Sequence, residues 1–87
     1  MKIIFLRQAH RFIKKADKPL KSRFEEEVLR IAENPKIGPQ LSGKLHALRS
    51  HHFSFIKTQY RIAYTVKDDL LIVAIGTREN FYRDLLI

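Results

Sequence analysis

The 87-residue sequence predicts an α+β fold, and three observations carry that prediction. Apolar residues recur at helical spacing from about Ala9 to Ala32, then alternate in the way of strands from His51 onward. A short apolar segment, Lys2 to Arg7, precedes the helical region and reads as a strand. A stretch punctuated by Asn34-Pro35, Gly38-Pro39 and Gly43 separates the two regimes. The expected order is therefore β-α-α-β-β-β with a short C-terminal helix, and two helices cover one face of a sheet.

Each element has its own local reason. Ala9, Phe12, Ile13 and Ala16 fall at i, i+3, i+4 and i+7, one apolar face of a short helix. Asp17-Lys18-Pro19 then restarts the chain, because aspartate caps free N–H groups and proline is tolerated in a first turn. The second helix buries Leu20, Phe24, Val28, Ile31 and Ala32, and its Glu25-Glu26-Glu27 run is expected to face water. Proline at 35 forces Asn34 out of the α region and ends it. Three strands follow over 51–57, 59–66 and 70–76, the last two joined by a tight Lys67-Asp68-Asp69 turn. The run Leu70 to Ile75 is apolar on both faces, as a central strand requires. The spacing from Glu79 to Ile87 allows a final helix across one end of the sheet.

Length and composition bound the function. A chain of this size is expected to form one domain, residues 1–87, and 45% hydrophobic residues suffice for a core. Without cysteine there is no disulfide scaffold, Cys-based zinc site or thiol nucleophile. No apolar run is long enough for a membrane span or a secretory signal, so the expectation is a cytoplasmic protein with no membrane partner. The net charge of +8 is concentrated: residues 1–23 carry eight basic side chains against Asp17 alone. Such a one-sided surface suits a polyanion such as RNA, DNA or an acidic protein tail; the plain alternative is a solvated helix face.

No Gly-rich phosphate loop or nucleophile elbow is present, and no cofactor is implied. Of the four histidines, His51 and His52 are adjacent on a strand and point to opposite faces, which argues against a metal site. A cationic pocket is the remaining chemistry. Arg61 shares a strand face with Gln59, Ala63 and Thr65, opposite the bulky set Tyr60, Ile62, Tyr64 and Val66 that should pack under the helices. Arg78 leaves the last strand after Gly76-Thr77, and Tyr82 follows four residues on. Two guanidiniums and a phenol suit a phosphodiester, since forked hydrogen bonds hold its oxygens and neutralise growing charge. RNA brings its own nucleophile in the 2′-OH. Ordinary surface ion pairs for Arg61 and Arg78, with Tyr82 capping the core, are the competing reading.

These residues carry a family resemblance. Leu41-Ser42-Gly43, Gln59-Tyr60-Arg61-Ile62-Ala63-Tyr64 and Ile75-Gly76-Thr77-Arg78 with Tyr82 resemble the RelE/ParE superfamily of type II toxin–antitoxin toxins, in order and spacing over nearly the whole chain. The resemblance implies a helical hairpin packed on a twisted antiparallel sheet. It also implies a ribosome-dependent endoribonuclease that cuts mRNA in the A site by 2′-OH attack. Arg61 and Arg78 would stabilise the phosphate and Tyr82 would transfer a proton. The basic helical surface, Lys14, Lys15, Lys18, Lys21 and Arg23, would contact ribosomal RNA, and a cognate antitoxin would cover the site or displace the final helix.

The sequence departs from RelE on the strand before Tyr60-Arg61. Where RelE members often place two basic residues two apart, this chain has His52 and Ser54. His52 can serve there as acid, base or cation, whereas Ser54 can only hydrogen-bond. A register shifted by one would instead bring His51 and Lys57 to that face, and Arg49 is a further cation nearby. ParE-like members of the superfamily lack the nuclease residues and inhibit DNA gyrase, which leaves a gyrase-directed toxin and a binding-only member as alternatives.

Overall fold

A computed structural model describes residues 1–79. The expected final helix, and Tyr82 with it, lie outside the described residues. Strand β1 (Ile3–Phe5) leads into helices α1 (Arg7–Lys15) and α2 (Lys18–Glu33). A loop with a 3₁₀ turn at Gly43–Leu45 then enters β2 (Arg49–Phe55), β3 (Thr58–Lys67) and β4 (Asp69–Thr77). The sheet order is β1-β4-β3-β2. Among the described residues no helix is long and apolar enough to cross a membrane.

The helices begin and end for the reasons the sequence gives. The Asp17 carboxylate accepts the Leu20 N–H at 3.1 Å as the α2 N-cap, Pro19 lies in the first turn, and Asn34 closes the helix before Pro35. Phe24, Val28 and Ile31 are buried from α2, Ala9 from α1, and Phe12 and Ile13 pack beside them. Four rings fuse helices to sheet. Phe24 meets Phe12, Phe53 and Tyr60 edge-on at 5.8, 5.2 and 5.4 Å, and Phe53 stacks on Tyr60 at 5.6 Å.

The sheet is mixed, not antiparallel throughout. β1 pairs parallel to β4, with Ile3 opposite Leu70 and Phe5 opposite Ile72. A strand joined to the sheet through two helices is free of the hairpin constraint that makes β2-β3 and β3-β4 antiparallel. β1 is also too short to cover all of β4. The Gln8 side chain takes over where it ends, donating to the Ile75 carbonyl and accepting its N–H, both at 2.7 Å. α1 thus satisfies backbone that a longer strand would have paired.

Two details of β4 and β2 set the faces of the sheet. Ala63 pairs with Ala74, but Tyr64 pairs with Ile72, so Val73 is an extra residue, a bulge. The bulge switches the alternation. Leu70, Ile72 and Ile75 all enter the helix-side core, while Ala74 and Gly76 go to the other face. β2 runs two residues earlier than the sequence suggests, over 49–55 instead of 51–57. Ile56 and Lys57 form the two-residue turn into β3, both at positive φ (45° and 62°). Asp68, also at positive φ (63°), makes the one-residue turn between β3 and β4. Val66, expected under the helices, is 44% exposed because it lies next to this turn, beyond their reach.

Candidate functional site

On the sheet face away from the helices, Arg61 stands at the centre of a row, with His52 directly opposite on β2 and Gly76 on β4. Cβ atoms of such cross-strand partners lie about 5 Å apart, so imidazole and guanidinium can act on one group. Arg61 is half-buried and His52 exposed. The next row toward the open end of the sheet holds Ser54 and Gln59. There the Arg78 N–H donates to the Gln59 carbonyl at 3.0 Å, which extends the β3-β4 ladder by one residue. Because the bulge moved Gly76 to Arg61's face, the next position in that alternation is Arg78. Arg78 lines a pocket of about 380 Å³ with Lys57, Thr58, Gln59, Thr77 and Glu79. The pocket mixes cationic and hydrogen-bonding groups with a single acid, a composition suited to a phosphate.

The register decides which strand residues share Arg61's face. His52 and Ser54 share Arg61's face; His51 does not, and Lys57 sits in the turn at the pocket rim rather than on the strand. Arg49 is on the helix side. Its Nη1 donates to the Gly38 carbonyl at 2.8 Å and braces the loop ahead of β2. The same loop is held by Tyr64, whose hydroxyl accepts the Gly38 N–H at 3.0 Å and donates to the Pro35 carbonyl at 2.7 Å. Gly38 itself is required by close approach, since a Cβ there would come within 2.7 Å of the Ser50 carbonyl oxygen.

A second polar cluster lies on the opposite face, where the sequence suggested only solvated acid. Glu27 is buried, 1% exposed. Its Oε2 accepts from Arg23 Nε at 2.8 Å, its Oε1 from His51 Nε2 at 2.7 Å, and Arg30 approaches to 4.0 Å. A carboxylate only accepts, so the His51 proton is on Nε2. Burial pushes the Glu27 pKa up, but hydrogen bonds from His51 and Arg23 and the charges of Arg30 and His51 outweigh it, and the carboxyl titrates below its ordinary value. Arg23 also lies over the Phe53 ring, 5.1 Å from its centroid. Glu27 sits three residues after Phe24 and four before Ile31, on the buried stripe of α2. That spacing was the available signal.

Of the expected basic helical surface, Lys14, Lys15 and Lys18 are exposed and Lys21 is half-buried, but Arg23 is committed to Glu27. These lysines belong to the helices, on the other side of the sheet from Arg61 and His52. The two positive regions therefore face different directions.

A helical pair on one face of a four-stranded mixed sheet is a fold that recurs in solved structures of small bacterial toxins. The chain is similar to a chain in the crystal structure of the intact E. coli RelBE toxin–antitoxin complex, with a TM-score of 0.68, 15% identity, and coverage of 86% of this chain and 93% of that one. It is similar to the isolated E. coli RelE toxin, with a TM-score of 0.68, 16% identity, and 98% and 94% coverage. A third likeness is to the conserved hypothetical protein HP0894 of Helicobacter pylori, with a TM-score of 0.52, 21% identity, and 91% and 96% coverage. At these identities the likeness is one of fold. No curated protein matches the chain in sequence. Residues 3–86 match the family of ParE-like toxins of type II bacterial toxin–antitoxin systems, and the chain belongs to that family.

Proposed function

We propose that this toxin, acting as a single domain over residues 1–87, is a metal-independent endoribonuclease that cuts mRNA on the ribosome in the cytoplasm. The observation that carries the reading is the His52–Arg61 pair on the open face, with Arg78 one row away. Arg61 and Arg78 bind the non-bridging oxygens and hold the charge that grows as the 2′-oxygen attacks phosphorus. His52 takes the 2′-OH proton. As the O2′–P bond forms, the P–O5′ bond breaks, and the leaving oxygen receives a proton from Tyr82, which follows Arg78 by four residues. The products are a 2′,3′-cyclic phosphate and a 5′-hydroxyl. Positive regions on both sides of the sheet favour a substrate presented inside a large RNA assembly, where Lys14, Lys15, Lys18 and Lys21 grip ribosomal RNA while the open face meets the message. A cognate antitoxin is the expected protein partner, as RelB is in the similar RelBE complex.

A gyrase-directed toxin is the second reading, favoured by one observation: β2 brings His52 and Ser54, not two cations, to the row positions beside Arg61 and Gln59. Primer extension on a reporter mRNA, with and without translating ribosomes and beside Arg61→Ala, separates the two. Ribosome-dependent cuts that disappear in the variant support the nuclease. An absence of cuts from protein that still arrests growth, together with inhibited supercoiling, overturns it.

A further inference from the structure

The β2-β3 turn is built against its own backbone preference. Ile56 and Lys57 both occupy the left-handed region, at φ 45° and 62°. A two-residue turn with both φ positive favours Asn-Gly, and a β-branched residue at positive φ is an outlier. Ile56 gains nothing in packing for this: it is 78% exposed and lies outside both core clusters. Lys57, beside it, lines the same pocket as Arg78 and Gln59. A strained pair held at the rim of a site, carrying an apolar side chain into water, points to contact with a ligand rather than to the fold.

We infer that the Ile56-Lys57 turn is an RNA-positioning element: Ile56 packs against the face of the base next to the bound phosphodiester, and Lys57 neutralises a flanking phosphate. Resting on the nuclease reading above, this adds a recognition role to residues outside the proposed catalytic row. The chemistry matches the ligand. Branched aliphatic side chains wedge against bases, and a cation one residue away finds the phosphate that any such base must carry. The charges around the pocket, Lys57 and Arg78 against Glu79, favour an anionic strand such as a nucleic acid over a neutral or basic surface.

The test is the full-length double variant Ile56→Asn, Lys57→Gly, which installs the preferred turn. Its melting temperature should rise by about 5–10 °C, since two left-handed penalties are relieved. Its ribosome-dependent cleavage should fall by about 10-fold or more, the loss of one apolar contact and one phosphate contact. Ile56→Asn alone keeps Lys57 and should lose about 3-fold or more; it is the variant to read if the double one misfolds. Cleavage by a folded variant at the wild-type rate overturns the inference and leaves the nuclease reading standing. If wild-type protein cuts no RNA and the turn variants instead fail to inhibit gyrase, the turn contacts protein, and both readings fall.

Discussion

His51 and His52 are neighbours in the chain and belong to opposite halves of the molecule. His51 points under the helices, buried against Glu27, in a cluster that Arg23 and Phe53 complete. His52 points outward, exposed, beside Arg61. Beneath the helices Glu27, Arg23 and His51 use their charges on one another, with the Phe53 ring packed against Arg23 and His51. On the open side, among the described residues, Ala63 and Ala74 pack with Leu41, Leu48 and Val73 as a thinner apolar base, and His52 and Arg61 stand in the row beside it. Residue type therefore decides little here. The alternation of the strand and one bulge in β4 decide which charge goes under the helices and which reaches the open face.

The comparison breaks most visibly at Arg61 and Arg78. Replacing both with alanine should reduce ribosome-dependent cleavage by about 100-fold or more, the size of losing donors to a developing phosphoryl charge, while the variant remains folded with a cooperative urea transition. Wild-type cleavage by the folded double variant removes the open face from the mechanism. A large loss of stability instead makes it a second structural face, and the contrast drawn above disappears.

Glu27 tests the other half. Glu27→Ala strands His51 and Arg23 without their acceptor and should cost about 3 kcal/mol in urea unfolding, with cleavage per folded molecule preserved. The matched pair His51→Ala and His52→Ala sharpens the point: the first should lose stability, the second activity. A Glu27→Ala protein as stable as wild type would show the cluster to be an ornament of the core.

What was legible in advance follows the same division. Helix positions and ends could be read because apolar period, the Asp17 cap and Pro35 are local signals. The Arg61 face could be read because alternation along β3 needs no partner. Glu27 looks solvated in the sequence because three adjacent carboxylates are alike until the stripe through Phe24 and Ile31 is extended to it. The parallel β1, the Val73 bulge and the end of β2 at Phe55 depend on pairing between distant segments, which a local pattern does not encode. For that reason Lys57 was expected on a strand and is found in a turn. Arg23 and Arg49, grouped by charge with the exposed lysines, have partners within the fold, the first held by Glu27 and the second by the Gly38 carbonyl.

The exposed lysines should behave unlike those committed arginines. Charge reversal at Lys14, Lys15 and Lys18 should weaken ribosome co-sedimentation and reduce its logarithmic salt slope by roughly one per lost phosphate contact, without lowering the melting temperature. Arg23→Glu should do the reverse, destabilising the fold through Glu27 before it affects RNA. An unchanged salt slope in the triple variant would leave those lysines as a solvated surface.

The smallest effect concerns acid. Arg23 and Arg30 from α2 and His51 from β2 face Glu27 and favour its charged form, so its folded pKa lies below the ordinary 4.5 despite burial. Above that ordinary value the carboxyl is ionised in both folded and unfolded chains, and its full contribution is present. As pH falls below it, the unfolded chain takes up the proton first, so unfolding is favoured progressively until the folded carboxyl is protonated too. Glu27→Gln cannot titrate at this position. The difference in urea midpoint between wild type and Glu27→Gln, followed from about pH 5 to about pH 3, below the ordinary histidine range, should therefore shrink as the pH falls, with the other carboxylates cancelling between the two proteins. A difference that stays constant to the acid end would mean that the cluster holds Glu27 no more tightly than water does, and the helix side would lose its claim to be the half where charges serve the fold.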